Sequence, residues 1–173
     1  MIKAGVVERL LGELGGSPRV SIPDLSRKYS VPEGIVLEHL LGKGIAKVRR
    51  DCWDTVVERI RGWGRITLRV RNDWSVAELT LPAEAFVRTE RELLAEQDGV
   101  RCRVRYGSIA AVYLLEDIPG CEPTVTFCNK KGRCVLEVTI EKSEAGARAF
   151  RETRGATCIG YFNGPASTPG AQK

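Results

Sequence analysis

A chain of 173 residues with 43% apolar residues has enough material to bury one real core, or one core and a small appendage. No apolar run approaches the ~20 residues of a membrane span, and the first residues carry no basic-then-apolar export signal, so a cytoplasmic protein is expected. A net charge of +5 favours anionic partners without naming one, while a single histidine, His39, all but excludes histidine acid–base chemistry and multi-histidine metal sites.

Residues 2–14 place Ile2, Val6, Val7, Leu10, Leu11 and Leu14 on one face, the pattern of an amphipathic helix stopped by Gly15-Gly16. Ser21 is a candidate cap for a second helix, from about Pro23 to Tyr29. A turn through Ser30-Val31-Pro32 leads to another helix, Glu33 to Leu41, which Gly42 and Gly44 end. Ile45 to Val48 suits a short strand. Helix, helix, turn, helix and strand give the outline of a winged helix-turn-helix.

The segment from Trp53 to Val70 is the most informative. Trp53 to Ile60 has helical periodicity and ends at Gly62 or Gly64; Ile66, Leu68 and Val70 then alternate with Thr67, Arg69 and Arg71. The period changes within three residues, so a helix is delivered straight into a sheet. Asn72-Asp73 is a hairpin-type turn, and Val76 to Leu81 pairs back until Pro82. Ala83 to Gln97 carries Phe86, Leu93 and Leu94 among many Glu and Arg residues and is expected to be helical. Beyond Asp98-Gly99, Val100, Cys102, Val104 and Tyr106 alternate with Arg101, Arg103 and Arg105. Ile109 to Leu115 is apolar enough for a buried central strand. Thr124 to Cys128 and Cys134 to Ile140 form a hairpin around Asn129-Lys130-Lys131-Gly132, read as a turn signature and nothing more. A helix from about Ser143 to Arg154 follows, and a Gly-, Pro- and Ser-rich mobile tail is expected from Gly155. The class is α+β. A winged-helix-like helical unit occupies 1–50, a mostly antiparallel sheet with flanking helices 51–154, and the tail 155–173.

Six cysteines stand without a Cys-x-x-Cys pair, mostly in strand-like stretches, where reduced thiols behave as small apolar residues. Period-two placement puts Arg69 and Arg71 on one strand face and Arg101, Arg103 and Arg105 on another. Two neighbouring strands of this kind would make one guanidinium patch for carboxylates or phosphates. The alternative is a solvated face neutralised by Glu78, Glu90 or Glu92. Trp53, Trp63 and Trp74 suit either a planar-ligand pocket or core anchors, with Trp74 the most exposed. The helix 33–41 is poor in basic and amide side chains, which disfavours specific DNA reading; Lys43, Lys47, Arg49 and Arg50 follow it. No hydrolytic or phosphoryl-transfer signature is present, and an enzyme is not the expectation.

In order and spacing, Trp53-Asp54-Thr55-Val56, Trp63-Gly64 with Ile66-Thr67, Glu78-Leu79 with Leu81-Pro82, Ile109 to Glu116, and Phe127 to Gly132 with Leu136 and Val138 resemble the ChuX/HutX family of intracellular haem-utilisation carriers. The resemblance runs from about residue 20 to 141. It implies a split-barrel-like sheet behind an N-terminal helical element, a homodimer, and haem binding for cytoplasmic storage or transfer. Where the family places haem-associated histidines, this chain has Arg71 and Cys102 or Arg103. The resemblance therefore implies altered ligation, with Cys102 or Tyr106 as iron ligands and arginines on the propionates. The candidate ligand-binding set is Arg69, Arg71, Trp74, Arg101, Cys102, Arg103, Arg105 and Tyr106. Two alternatives remain: another anionic or planar ligand or a protein partner on the same fold, and a winged-helix nucleic-acid binder.

Overall fold

The computed structural model describes residues 9, 12–13, 21–72, 75–118 and 121–158. The helix expected over 2–14, Trp74 and most of the tail expected over 155–173 lie outside the described residues or almost wholly so; the tail's first residues, 155–157, instead continue the last helix, and Cys158 bridges to Val48. The first described helix, α1 (Ile22–Tyr29), starts with a reciprocal cap: the Ser21 hydroxyl accepts from the Asp24 amide, and the Asp24 carboxylate accepts from the Ser21 amide. It ends at Ser30, in the left-handed region at φ 53°. The next helix, α2 (Glu33–His39), is two residues shorter than its sequence pattern, within ordinary boundary scatter. Leu25, Val36, Leu37 and Leu40 pack with Ile45, Tyr113 and Leu115 in a satellite core between these helices and the sheet. Strand β1 (Ile45–Lys47) pairs with β7 (Ile109–Leu115), so the helical unit is stitched to a sheet edge.

Helix α3 (Trp53–Ile60) follows a 3₁₀ turn at Arg50–Cys52 and buries Trp53, Val56, Val57 and Ile60. As expected, it runs through Trp63 directly into a strand, β2 (Arg65–Arg71), whose Ile66 and Leu68 point into the main core. With β3 (Val76–Pro82), β8 (Thr124–Asn129) and β9 (Cys134–Ile140), an antiparallel six-stranded sheet forms in the order β1-β7-β8-β9-β2-β3. Every residue of β8 except Asn129 is buried, Thr124 and Thr126 included, as befits a strand paired along both edges in mid-sheet. Helix α4 (Glu144–Thr157), capped by the Ser143 hydroxyl, lays Phe150 against Trp63, ring centroids 5.4 Å apart.

The stretch 83–97 is not helical. After a 3₁₀ turn at Ala83–Ala85 come β4 (Phe86–Arg88) and β5 (Glu92–Gln97), which join β6 (Val100–Arg105) in a separate three-stranded sheet. The Glu- and Arg-rich composition favours helix, but Phe86, Leu93 and Ala95 reach the main core at period two, and Glu and Arg pair across the outer face. A tight turn fixes the register: the Thr89 amide donates to the Glu92 carbonyl at 2.8 Å, and the Glu92 amide to the Thr89 hydroxyl at 3.0 Å. Cross-strand packing outweighs helix propensity here.

Candidate functional site

A cavity of about 1050 Å³ opens where α1, the start of α2, the β2–β3 hairpin, the β8–β9 hairpin and Gly107-Ser108 converge. Its cationic lining comprises Arg27, Arg71, Lys130, Lys131 and Arg133; among the described residues Glu33 is the one acidic member. The walls are held by a close backbone approach. The Gly34 amide, in the first turn of α2, donates to the Gly132 carbonyl at 2.7 Å. A Cβ on Gly34 would stand 3.1 Å from that oxygen and 3.2 Å from Gly132 Cα, and Gly132 itself sits at φ +73°. The hairpin tip is organised by Asn129, whose side-chain oxygen accepts from the Lys131 amide at 2.9 Å and the Arg133 amide at 3.1 Å.

Arg71 and the lysines play different electrostatic parts. The Arg71 guanidinium donates to Glu137 at 2.8 Å and lies 3.5 Å from Glu33, all three side chains being largely buried. Glu33 also accepts from the Cys134 amide at 3.3 Å. With one guanidinium against two carboxylates the cluster has no positive charge to spare, and within it only Arg71 Nε lacks a partner among the described residues. Arg27 pairs with Asp24 at the surface. Lys130 and Lys131 belong to the cavity wall and enter none of the ion pairs among the described residues. They are the charges left for an anionic guest.

Of the described residues in the sequence-derived set, only Arg71 lines this cavity; Trp74 lies outside the described residues. Arg69 stands on the same strand face but is half-exposed, pairing with Glu78 across the ladder and lying 3.6 Å from Glu137. Arg101, Arg103 and Arg105 are exposed on the three-stranded sheet, with Arg101 bonded to Glu96 at 2.7 Å and Arg103 3.9 Å from Glu92. The two arginine rows thus belong to different sheets. Cys102 is half-buried against the main core, and burial pushes its thiol up. Tyr106 donates to Asp54 at 2.6 Å, stacks under Arg88 at 4.4 Å and meets Trp53 edge-on. Burial first, then the bond to Asp54, pushes its phenol up to about 12. Both groups are therefore protonated at neutral pH. Trp53 and Trp63 are core residues, 7% and 5% exposed. His39 is exposed, its Nδ1 bonded to the Ile35 carbonyl.

Sequence reading missed Arg27, Lys130, Lys131 and Arg133. The only signal for the last three was an unusual density of cations in a hairpin turn. On α2, Glu33 and Gly34 are buried against that turn, and Ile35, Glu38 and His39 face solvent, a poor surface for a nucleic-acid groove.

A family model for haem utilisation ChuX/HutX matches residues 46–152. The chain belongs to the ChuX/HutX haem-utilisation family. Solved structures share the fold of this ChuX/HutX chain at low identity. A protein from Erwinia carotovora is 19% identical, with a TM-score of 0.71 over 85% of this chain and 97% of its own. The heme-binding protein ChuX is 17% identical, with a TM-score of 0.70 over 87% and 97%. Holo-PhuS, a heme-binding protein from Pseudomonas aeruginosa, is 18% identical, with a TM-score of 0.76 over 93% of this chain and 47% of that one. No curated protein matches the chain in sequence. No helix among the described residues is long and apolar enough to cross a membrane.

Proposed function

We propose that the chain binds haem in the cytoplasm and holds it for storage or transfer, with the porphyrin carboxylates seated among the cations of the cavity. The single observation behind this reading is that cavity: ligand-sized, and carrying Lys130 and Lys131 as cations that enter no ion pair among the described residues. Two carboxylates on one edge of a flat apolar molecule suit a wall with a paired charge cluster at its base and free ammonium groups at its rim. Haem is the cargo here, and its iron is held without histidine. Among the described residues no histidine lines the cavity, and Cys102 and Tyr106 stay protonated outside it. The chain works as a homodimer. Its outermost strand, β3, is exposed along Val76, Ala77 and Glu78, an open edge that a second copy would cover.

An absorbance titration with haemin tests the reading. The wild-type chain is expected to shift the Soret band at micromolar haemin. The double variant Lys130→Ala, Lys131→Ala should bind roughly a hundredfold more weakly, at ~1.5 kcal/mol per lost charge-assisted contact, with unchanged thermal unfolding. A flat titration with the wild-type chain refutes the proposal.

A further inference from the structure

Cys128 on β8 and Cys134 on β9 stand directly opposite each other in the ladder, and their sulfurs are 2.9 Å apart. Both are buried, at 1% and 4% exposure, and no other two of the six cysteines make such a contact. Directly opposed residues on antiparallel strands have Cα atoms about 4.5–5.5 Å apart, inside the range of about 4.4–6.8 Å that a disulfide spans. With a disulfide bond of about 2.05 Å, the two sulfurs need to close by only about 0.9 Å.

Two further features give this pair a consequence. Cys134 lines the basic cavity and Cys128 does not, so Cys134 is the member of the pair nearer to a small oxidant such as a peroxide entering there. The two cysteines also bracket the hairpin tip 129–133, from which Lys130, Lys131 and Arg133 reach the cavity. A covalent bond between them would close a ring around those cations.

We propose that Cys128 and Cys134 form a redox-active dithiol that a hydroperoxide oxidises to a cross-strand disulfide, clamping the basic tip of the β8–β9 hairpin. The Cys134 sulfur, as thiolate, attacks one peroxide oxygen; the O–O bond breaks, water leaves after protonation, and Cys134 becomes a sulfenic acid. Cys128 then loses its proton and attacks the Cys134 sulfur, forming the S–S bond and expelling the hydroxyl as a second water. Two thiols and one hydrogen peroxide give one disulfide and two waters, and two electrons pass from sulfur to oxygen. The bond to Cys128 and burial both hold the Cys134 thiol well above the usual range. The first step is slow for that reason, and the pair responds to sustained oxidant. None of this depends on the cavity's guest.

The test uses the full chain carrying Cys121→Ser, because Cys121 is exposed and would otherwise link two copies. After hydrogen peroxide, the protein is unfolded with an alkylating agent present and digested with trypsin, which cuts after Lys130, Lys131 and Arg133. The expected result is one species in which the Cys128 and Cys134 peptides are joined. A reductant should split it, and the further change Cys134→Ser should abolish it. Recovery of both residues as separate alkylated or over-oxidised peptides, with no joined species, overturns the proposal. The buried pair stays intact in the decisive sample, so a misfolded variant cannot imitate that result.

Discussion

Replacing Arg71 by methionine keeps an apolar stem and removes the charge between Glu33 and Glu137. The side chains of Arg71, Glu33 and Glu137 are 11%, 11% and 14% exposed, so the two carboxylates would be left close together with little water to screen them. Removing one partner from a buried pair costs about 3–5 kcal/mol, and the residual exposure argues for the lower end, about 3 kcal/mol. Arg69, two residues earlier on the same strand face, provides an internal comparison: it touches the cluster only through a long 3.6 Å contact with Glu137. Its pair with Glu78 is 48% and 50% exposed, and such pairs contribute about 0.2–1 kcal/mol. With a urea slope of about 2 kcal/mol per molar, Arg71→Met should lower the unfolding midpoint by about 1.5 M and Arg69→Met by at most about 0.5 M. Circular dichroism of both variants in parallel measures the difference. Equal shifts would refute the argument that burial separates a structural arginine from a solvated one on this strand. A rescue arm strengthens the test: adding Glu33→Gln to Arg71→Met should recover part of the loss.

The remaining expectations concern the Tyr106 cluster and two glycines. The Tyr106 phenol is raised to about 12 from an unfolded value near 10. Between these values the folded state binds more protons, so its contribution to stability is complete below pH ~10 and is lost as pH rises through about 12. Tyr106→Phe should flatten the alkaline decline in unfolding free energy, measured by denaturant titration at stepped pH. An unchanged slope would exclude this residue as its source. Gly42 and Gly44 both have positive φ, +84° and +75°, but a Cβ on Gly42 meets open space, whereas on Gly44 it would lie 2.2 Å from the Glu116 carbonyl oxygen. Gly42→Ala should cost about 1–2 kcal/mol of backbone strain. Gly44→Ala should exceed that clearly, because the oxygen it displaces follows the Glu116 amide, which donates to the Gly44 carbonyl at 2.7 Å. Thermal melts of the two variants give the comparison.

Local physics was legible in the sequence wherever a signal fits within about ten residues. Ser21 with Asp24, the change of period after Trp63 and the Asn129 turn all formed as their side chains dictate. The stretch 83–97 was misread because its Glu and Arg residues serve equally on a helix face or the outer face of a hairpin. Only Phe86, Leu93 and Ala95 facing a distant core decide between the two. The arginine rows followed the predicted alternation, yet which sheet each strand joins depends on pairings far apart in the chain. The cavity was hidden for the same reason. Arg27, Arg71 and Lys130 meet only after three separate chain regions converge, and Glu33 reaches the Cys134 amide across 101 positions of sequence.

The seating of α2 on the hairpin tip through Gly34 and Gly132 makes the pocket's aperture a matter of two absent methyl groups. Any larger residue at Gly34 would wedge the helix outward by tenths of an ångström and carry Glu33, hence the brace on Arg71, away from the strand behind it. Entrance width and the tuning of the innermost charge are thus geared to one joint. A single substitution there would retune both at once, which makes this position the natural dial for re-engineering what the pocket admits.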